Sequence, residues 1–363
     1  MSELVVQGEL TRPSGFRARF DLAVPMTGVT AVTGPSGAGK STMLRVVAGF
    51  EPAAPVTVRY GAEAWQTRAH AVPAHLRPVS TVFQDARLFP HLDVAGNLRY
   101  PLRRARAGPA APMGFDEVVE ELALGPLLEA FPATLSGGQR QRVALGRALL
   151  APARLWLLDE PLSALDASAR GEIAPFLKRI CLAHRLPILY VTHSLADVVQ
   201  IADRVVAMRH GEITANESIE APERTRVPWR EMGEELAILT VKWIRHDTDY
   251  DLSELELGGE TLWVRGHGVP EARTGGRARL LVSARDVSLA RAAVPAITVL
   301  NQLPVVVAAI EERDAAACLV RLDCHGQTLF SRITRRSCDQ LGLAPGQRVH
   351  ALIKTMALTA LDA

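Results

Sequence analysis

The stretch Gly34-Pro35-Ser36-Gly37-Ala38-Gly39-Lys40-Ser41 constrains this chain more than any other, because it fits G-x-x-x-x-G-K-[ST]. Gly28-Val29-Thr30-Ala31-Val32-Thr33 before it reads as a buried strand. Lys40 to Ala48 after it reads as a helix that stops at Gly49. In other surroundings such letters make a mere glycine-rich turn; between a strand and a helix they make an anion cradle. The glycines let successive N–H groups curl inward, and the helix N-terminus adds a partial positive charge. Lys40 is then expected to reach the β- and γ-phosphates of a nucleotide, and the Ser41 hydroxyl to ligate Mg²⁺. Thr42 follows as the next residue of the cradle.

Leu155-Trp156-Leu157-Leu158-Asp159-Glu160 supplies the complement. An apolar strand that ends in two carboxylates presents them at the carboxyl edge of an open α/β sheet, where ligands bind. Asp159 suits the Mg²⁺ shell, and Glu160 is left to orient or deprotonate an attacking water. A solvated strand end would not need two adjacent acids after four large apolar residues. The pair of motifs implies nucleotide hydrolysis.

The rhythm of strand, helix and strand continues to about residue 215 and implies a largely parallel, mixed sheet covered on both faces. Ile188-Leu189-Tyr190-Val191 is another apolar strand, and Arg204 to Thr214 reads as a closing hairpin around Arg209-His210-Gly211. Residues 216–228 are polar and proline-bearing and read as a linker. From 229 to 363 short strands alternate with glycines, the pattern of a smaller all-β, OB-like domain. Within it Leu255 to Arg265 aligns with Leu322 to Arg332 through a shared Gly-x-Thr-Leu-aromatic core, which predicts an internal repeat.

Composition narrows the function class. A net charge of +2 over 363 residues argues against a broad basic field for nucleic acid. The basic segment Arg103-Arg104-Ala105-Arg106 has no interleaved aromatics and reads as a solvated loop. The four cysteines show no metal-ligand spacing and read as reduced thiols. Residues 1–10 carry Glu3 and Glu9 and lack the pattern of a signal peptide. No apolar run reaches the roughly 20 residues of a membrane-spanning helix, so any transport role is expected to need a separate membrane partner.

Leu135-Ser136-Gly137-Gly138-Gln139-Arg140-Gln141-Arg142 matches the signature motif of ABC ATPases. It is a second glycine-rich helix start, with a serine hydroxyl and N–H groups able to face an anion. The resemblance implies that Ser136, Gly137, Gly138 and Gln139 complete the nucleotide site of an opposing copy in a head-to-tail homodimer. It also implies a helical subdomain between the two phosphate-site motifs. Further matches follow in the family's order. Gln84, in Val82-Phe83-Gln84-Asp85, sits where the family places a glutamine that senses Mg²⁺ and water. Ser163-Ala164-Leu165-Asp166 resembles the loop that crosses the dimer interface, and His193 resembles the switch histidine on the γ-phosphate. The family stacks adenine on an upstream aromatic; Phe16 and Phe20 are both available and spacing does not decide between them, and because Phe20 also suits a core position, Phe16 is taken for the role. The neighbourhood of Leu88-Phe89-Pro90-His91 is where the family receives an integral-membrane permease subunit, with an exposed Phe89 as the apolar contact.

The run from Val82 to His91, its continuation Gly96-Asn97-Leu98-Arg99-Tyr100, and Leu189 to Leu195 resemble the ATPase subunits of bacterial molybdate importers. The C-terminal half resembles that family's Mop/TOBE-type oxyanion domain over about 293–360, on Arg332-Ile333-Thr334, Ser337, Leu341-Gly342-Leu343, Pro345-Gly346 and Ile353-Lys354. This implies import driven from the cytoplasmic face of the inner membrane by a peripheral subunit, with a periplasmic substrate-binding protein delivering cargo. Sulfate or iron(III) remains the alternative cargo. A soluble ABC ATPase outside transport is a further alternative, without the long coiled-coil insertion or second ATPase domain that such proteins carry. A tetrahedral oxyanion needs hydroxyls, N–H groups and a cation converging on it; Thr298, Asn301, Ser337 and Lys354 are the candidates. Thr298-Val299-Leu300-Asn301 lacks the arginine of the family's Ser-Ala-Arg-Asn, so a domain that only stabilises the dimer stands beside an oxyanion sensor.

Overall fold

The computed structural model describes residues 3–13, 15–104, 111–219, 235–266, 276–313 and 316–361. They form two compact units, one ending at Ile219 and one starting at Glu235.

The first unit is built on ten strands: β1 Glu3–Thr11, β2 Arg17–Pro25, β3 Val29–Thr33, β4 Val56–Tyr60, β5 Glu63–Gln66, β6 Val79–Val82, β7 Leu155–Asp159, β8 Ile188–Val191, β9 Arg204–Arg209 and β10 Glu212–Ser218. They lie in one sheet in the order β5-β4-β1-β2-β10-β9-β3-β8-β7-β6. From β9 to β6 neighbouring strands are parallel. The flank β5-β4-β1-β2 is antiparallel, as is the hairpin of β9 and β10. That hairpin turns at His210 and Gly211, both at positive φ, and β10 runs on through Ser218, three residues into the stretch that reads as linker in the sequence. Residues 220–228 of that stretch lie outside the described residues.

Alternate residues of the apolar strands feed two separate cores. Leu155 and Leu157 of β7 and Leu189 and Val191 of β8 join a core with helix α1 (Lys40–Ala48). Trp156, Leu158, Ile188 and Tyr190 join a second core with the remaining helices. These are α2 Val94–Arg104, α3 Phe115–Glu121, α4 Gly137–Leu149, α5 Ala167–His184 and α6 Leu195–Ile201. A parallel strand buried on both faces reads as an unbroken apolar run for this reason. Helices α2, α3 and α4 meet at Gly146, where an added Cβ would stand 2.8 Å from Leu98 and 3.1 Å from Val118. Arg103 and Arg104 end α2 instead of lying in a loop; Ala105 and Arg106 fall outside the described residues.

Among its described residues the second unit is made of antiparallel strands, one α-helix, short 3-10 turns and connecting loops. Its strands are β11 Leu236–Asp247, β12 Leu252–Leu257, β13 Glu260–Arg265, β14 Arg277–Ser283, β15 Val287–Ala290, β16 Asn301–Glu312, β17 Ala317–Cys324, β18 Gln327–Thr334, β19 Arg348–Ile353 and β20 Thr359–Leu361, with helix α7 at Arg335–Leu341. They make two five-stranded sheets, β13-β12-β11-β14-β20 and β18-β17-β16-β19-β15. Written in that direction the two orders are the same repeat, except that the last strand of each repeat sits in the other's sheet. Strand β15 follows β14 but pairs with β19, and β20 follows β19 but pairs with β14.

The aligned segments Leu255–Arg265 and Leu322–Arg332 are the equivalent hairpins β12-β13 and β17-β18. Both close with two residues at positive φ, Gly258-Gly259 and His325-Gly326. Such turns match the twist of the flanking strands. The hairpin tips touch: a Cβ on Gly258 would stand 2.3 Å from the His325 ring. One core holds both sheets together, with Leu239, Leu255 and Leu262 from the first and Leu303, Leu322 and Leu329 from the second.

Candidate active site

The carboxyl ends of four parallel strands meet at one edge. Val32 is in register with Val191, Asp159 with the same Val191, and Val82 with Leu158. The residues that follow, Gly34 to Ser41, His193, Asp159-Glu160 and Gln84, therefore converge without any special loop. Gly34 lets the phosphate loop pass close to β9, since a Cβ there would stand 2.0 Å from the Met208 carbonyl oxygen. Helix α1 ends at Gly49 in the left-handed region. Its last carbonyls are also capped by Arg77, whose guanidinium donates to the oxygens of Val46 and Val47 at 2.9 and 2.7 Å. Burial lowers the pKa of that guanidinium to about 10.

Lys40 Nζ donates to the carbonyl oxygens of Gly34 and Pro35 at 2.8 and 3.0 Å, folding over its own loop. Ser41 Oγ donates to Asp159 Oδ1 at 3.1 Å. Glu160 stands between two side chains from other strands: Gln84 Nε2 donates to its Oε2 at 3.2 Å, and His193 Nδ1 lies 3.0 Å from its Oε1. Burial pushes the Asp159 carboxyl above its ordinary value, with the Ser41 hydrogen bond opposing and the Glu160 charge adding to the rise. Burial lowers the Lys40 ammonium, while Glu160 and Asp159 partly restore it. A buried carboxylate next to a second one calls for a cation, and two hard oxygens 3.1 Å apart suit Mg²⁺.

Phe16, Arg12, Gly37, Gly39, Lys40, Ser41 and Thr42 line a cavity of about 280 Å³. The Phe16 ring reaches to 3.2 Å from the place a Cβ on Gly39 would take, whereas Phe20 is 2% exposed in the core. The structure thus puts Phe16 and not Phe20 on the cavity. Glu51 joins this platform to α1, accepting from Arg12 at 2.8 Å and from Arg45 at 2.9 Å.

Ser136 caps α4, its Oγ accepting from Gln139 N at 3.2 Å while Gln139 Oε1 accepts from Ser136 N at 2.8 Å. Ser136 and Gly137 are exposed. Among the described residues no hydrogen bond joins Ser136–Gln139 to this chain's own phosphate loop. Phe89 departs from the expectation of an exposed contact. It is half-buried, 4.3 Å from the Tyr100 ring, with the Arg147 guanidinium 5.1 Å away over its face. Asn97 holds the turn in place by donating to the carbonyls of Phe89 and Leu92.

Two supporting residues escape a reading of motifs. Asp197, 3% exposed, accepts from Tyr190 Oη, Thr192 Oγ1 and Ser194 Oγ at 3.0, 3.1 and 2.9 Å, and so fixes the strand end that carries His193. The spacing Ser194-x-x-Asp197 is its one sequence signal, a helix start. Gln141, buried inside the signature motif, is the other.

The candidate oxyanion residues fare differently. Asn301 is fully buried, its Oδ1 accepting from Trp263 N at 2.7 Å and its Nδ2 donating to Trp263 O at 2.9 Å. Both ends of its amide serve the junction of β16 with β13, so it is not available as an oxyanion ligand. Ser337 Oγ lies 2.8 Å from Thr334 Oγ1 in the cap of α7. Thr298 and Lys354 are exposed. Among the described residues no hydrogen bond joins Thr298, Ser337 and Lys354 to one another.

Residues 18–163 match the ABC transporter family model and residues 297–360 the TOBE domain model. The molybdenum import ATP-binding protein ModC of Thiobacillus denitrificans is 43% identical, over 95% of this chain and 94% of its own length. ModC 1 of Azotobacter vinelandii is also 43% identical, over 95% and 96%. The chain belongs to the ModC family. Its ABC ATPase fold is shared with a dimeric ATP-binding cassette solved in a post-hydrolysis state, bound to ADP and Pi. That structure matches with a TM-score of 0.52 and 24% identity, over 61% of this chain and 100% of its own. Members of the ModC family are ATP-binding subunits, and the cradle of Gly34 to Thr42 is where this chain's geometry fits that description. Among the described residues no helix is long and apolar enough to cross a membrane.

Proposed function

We propose that this chain hydrolyses MgATP to drive molybdate import, as a homodimer docked on an integral-membrane permease at the cytoplasmic face of the inner membrane. The observation that carries the chemistry is the placement of Glu160 between Gln84 and His193, beside the Ser41–Asp159 pair. In this reading Gly34 to Thr42 hold the phosphates and Phe16 stacks on adenine. Ser41, Asp159 and Gln84 hold Mg²⁺, which when bound neutralises charge on the β- and γ-phosphates. Glu160 orients and deprotonates the attacking water, and His193 meets the γ-phosphate. Ser136 to Gln139 serve the opposing copy's nucleotide, which the exposure of Ser136 and Gly137 and the lack, among the described residues, of any hydrogen bond to this chain's own phosphate loop support.

The cargo reading rests on relatives named for molybdenum import at 43% identity along nearly the whole chain. Its test is transport in sealed vesicles that hold this subunit with its permease and a periplasmic binding protein. ATP hydrolysis and uptake should rise with molybdate and not with sulfate. Equal stimulation by sulfate would overturn the assignment. For the C-terminal unit we propose Thr298, Ser337 and Lys354 as the remaining oxyanion contacts.

A further inference from the structure

Glu160 has its backbone in the left-handed region, φ 48°, which a residue with a Cβ adopts only when its surroundings hold it there. Its N–H donates to the Val191 carbonyl at 2.9 Å. Its carbonyl accepts from two side chains, Gln141 Nε2 at 2.9 Å and Ser163 Oγ at 2.9 Å. Gln141 Nε2 also donates to Ser163 Oγ at 3.0 Å, and its Oε1 accepts from Ala164 N at 2.8 Å. One amide, 1% exposed, is thus spent wholly on the segment Glu160 to Ala164.

Gln141 stands on α4, the helix capped by the exposed Ser136 and opening with the exposed Gly137. The same segment closes on the helix start a second time. A Cβ on Gly138 would meet the Ala164 carbonyl oxygen at 3.1 Å and Leu165 Cδ2 at 3.3 Å, and one on Gly137 would meet Ala164 Cβ at 3.6 Å. The first turn of α4 and the backbone that sets Glu160 are therefore packed against each other and joined by the Gln141 amide.

We infer that Gln141 is a positioning residue that ties the signature motif, which serves one nucleotide, to Glu160, which serves the other. When Ser136–Gln139 close on the opposing copy's phosphate, α4 shifts, and the Gln141 amide carries that shift to the Glu160 carbonyl. Each site then becomes competent in step with its partner. The inference rests on the reading of Glu160 as the water-activating group and on the head-to-tail homodimer.

The test is steady-state ATP hydrolysis by the full-length chain carrying Gln141→Leu or Gln141→Glu; the second keeps an acceptor for Ala164 N and removes both donors. Expected is a fall in kcat of roughly 10- to 100-fold, as for a misplaced catalytic group. The KM for ATP should stay within about twofold. The Hill coefficient should drop towards about 1, that of independent sites. A residue that only serves the fold would lower the melting temperature and leave these untouched. A kcat within about threefold of the unsubstituted chain, or a KM that rises in step with the loss of kcat, overturns the inference. So does failure of both variants to fold. Glu160→Gln is the control: if it still hydrolyses ATP, the role of Glu160 itself falls, whereas its inactivity beside active Gln141 variants sinks the coupling alone.

Discussion

The two units treat their polar side chains in opposite ways. In the first, polar groups from three strand ends and one helix point at one another across a single edge of the sheet. In the second they are spent on joining the two halves of a repeat. Asn301 of β16 holds both backbone groups of Trp263 in β13. Gln327 of β18 does the same for Thr240 in β11, accepting from its N at 2.7 Å and donating to its O at 2.9 Å. These are equivalent junctions of the repeat, the first strand of one copy against the third strand of the other. A polar residue near a motif therefore becomes a ligand group only where topology gathers several of them. Parallel strands gather their carboxyl ends; an exchanged pair of antiparallel sheets does not.

Three substitutions would break or sharpen this contrast. The largest effect is expected from Glu160→Gln, which should lower kcat by roughly 10²- to 10⁴-fold, the usual worth of a general base. It should also leave an ATP-bound dimer that persists on size exclusion. Undiminished turnover would show that the gathered edge is not the catalytic one. Next comes Asn301→Ala. Loss of two buried hydrogen bonds should destabilise the second unit by about 1–3 kcal/mol in calorimetry and leave ATP hydrolysis intact. Weakened oxyanion binding without any loss of stability would restore Asn301 as a ligand.

Asp159→Asn is expected to act most gently on the fold. Burial raises the Asp159 carboxyl above 3.8, so the folded chain binds that proton more tightly than the unfolded chain. Its ionisation costs stability progressively as pH climbs from the unfolded value through the raised one, and the deficit persists at neutral pH without a cation. The neutral amide should therefore raise the melting temperature of the Mg²⁺-free protein at pH 7, with the difference vanishing as pH falls below the ordinary carboxylate value of 3.8. A lower melting temperature would mean that the carboxylate is already compensated.

The nucleotide edge was legible because its parts lie in short, contiguous motifs whose flanks are buried apolar runs. Leu155 to Glu160 shows a strand, its end and its two acids within six letters. The repeat in the second half was legible from one pair of hairpins, since a two-residue turn needs particular residues, here Gly258-Gly259 and His325-Gly326. The antiparallel flank and the exchanged strands β15 and β20 were not. Which sheet a short strand joins depends on packing against residues far away in the chain.

Local chemistry by itself thus determined the phosphate cradle, the carboxylate pair, the signature helix and the all-β character of the second half. Only the tertiary structure decided that Phe16 faces the cavity while Phe20 is core, that Asn301 turns inward, and that Gln141 holds the carbonyl of Glu160. The physical reason is the same in each case. A motif states which groups a residue carries, but whether an aromatic face or an amide is free depends on partners 19 to 38 positions away for these two amides, Glu160 for Gln141 and Trp263 for Asn301. Those partners are chosen by how the sheet is ordered.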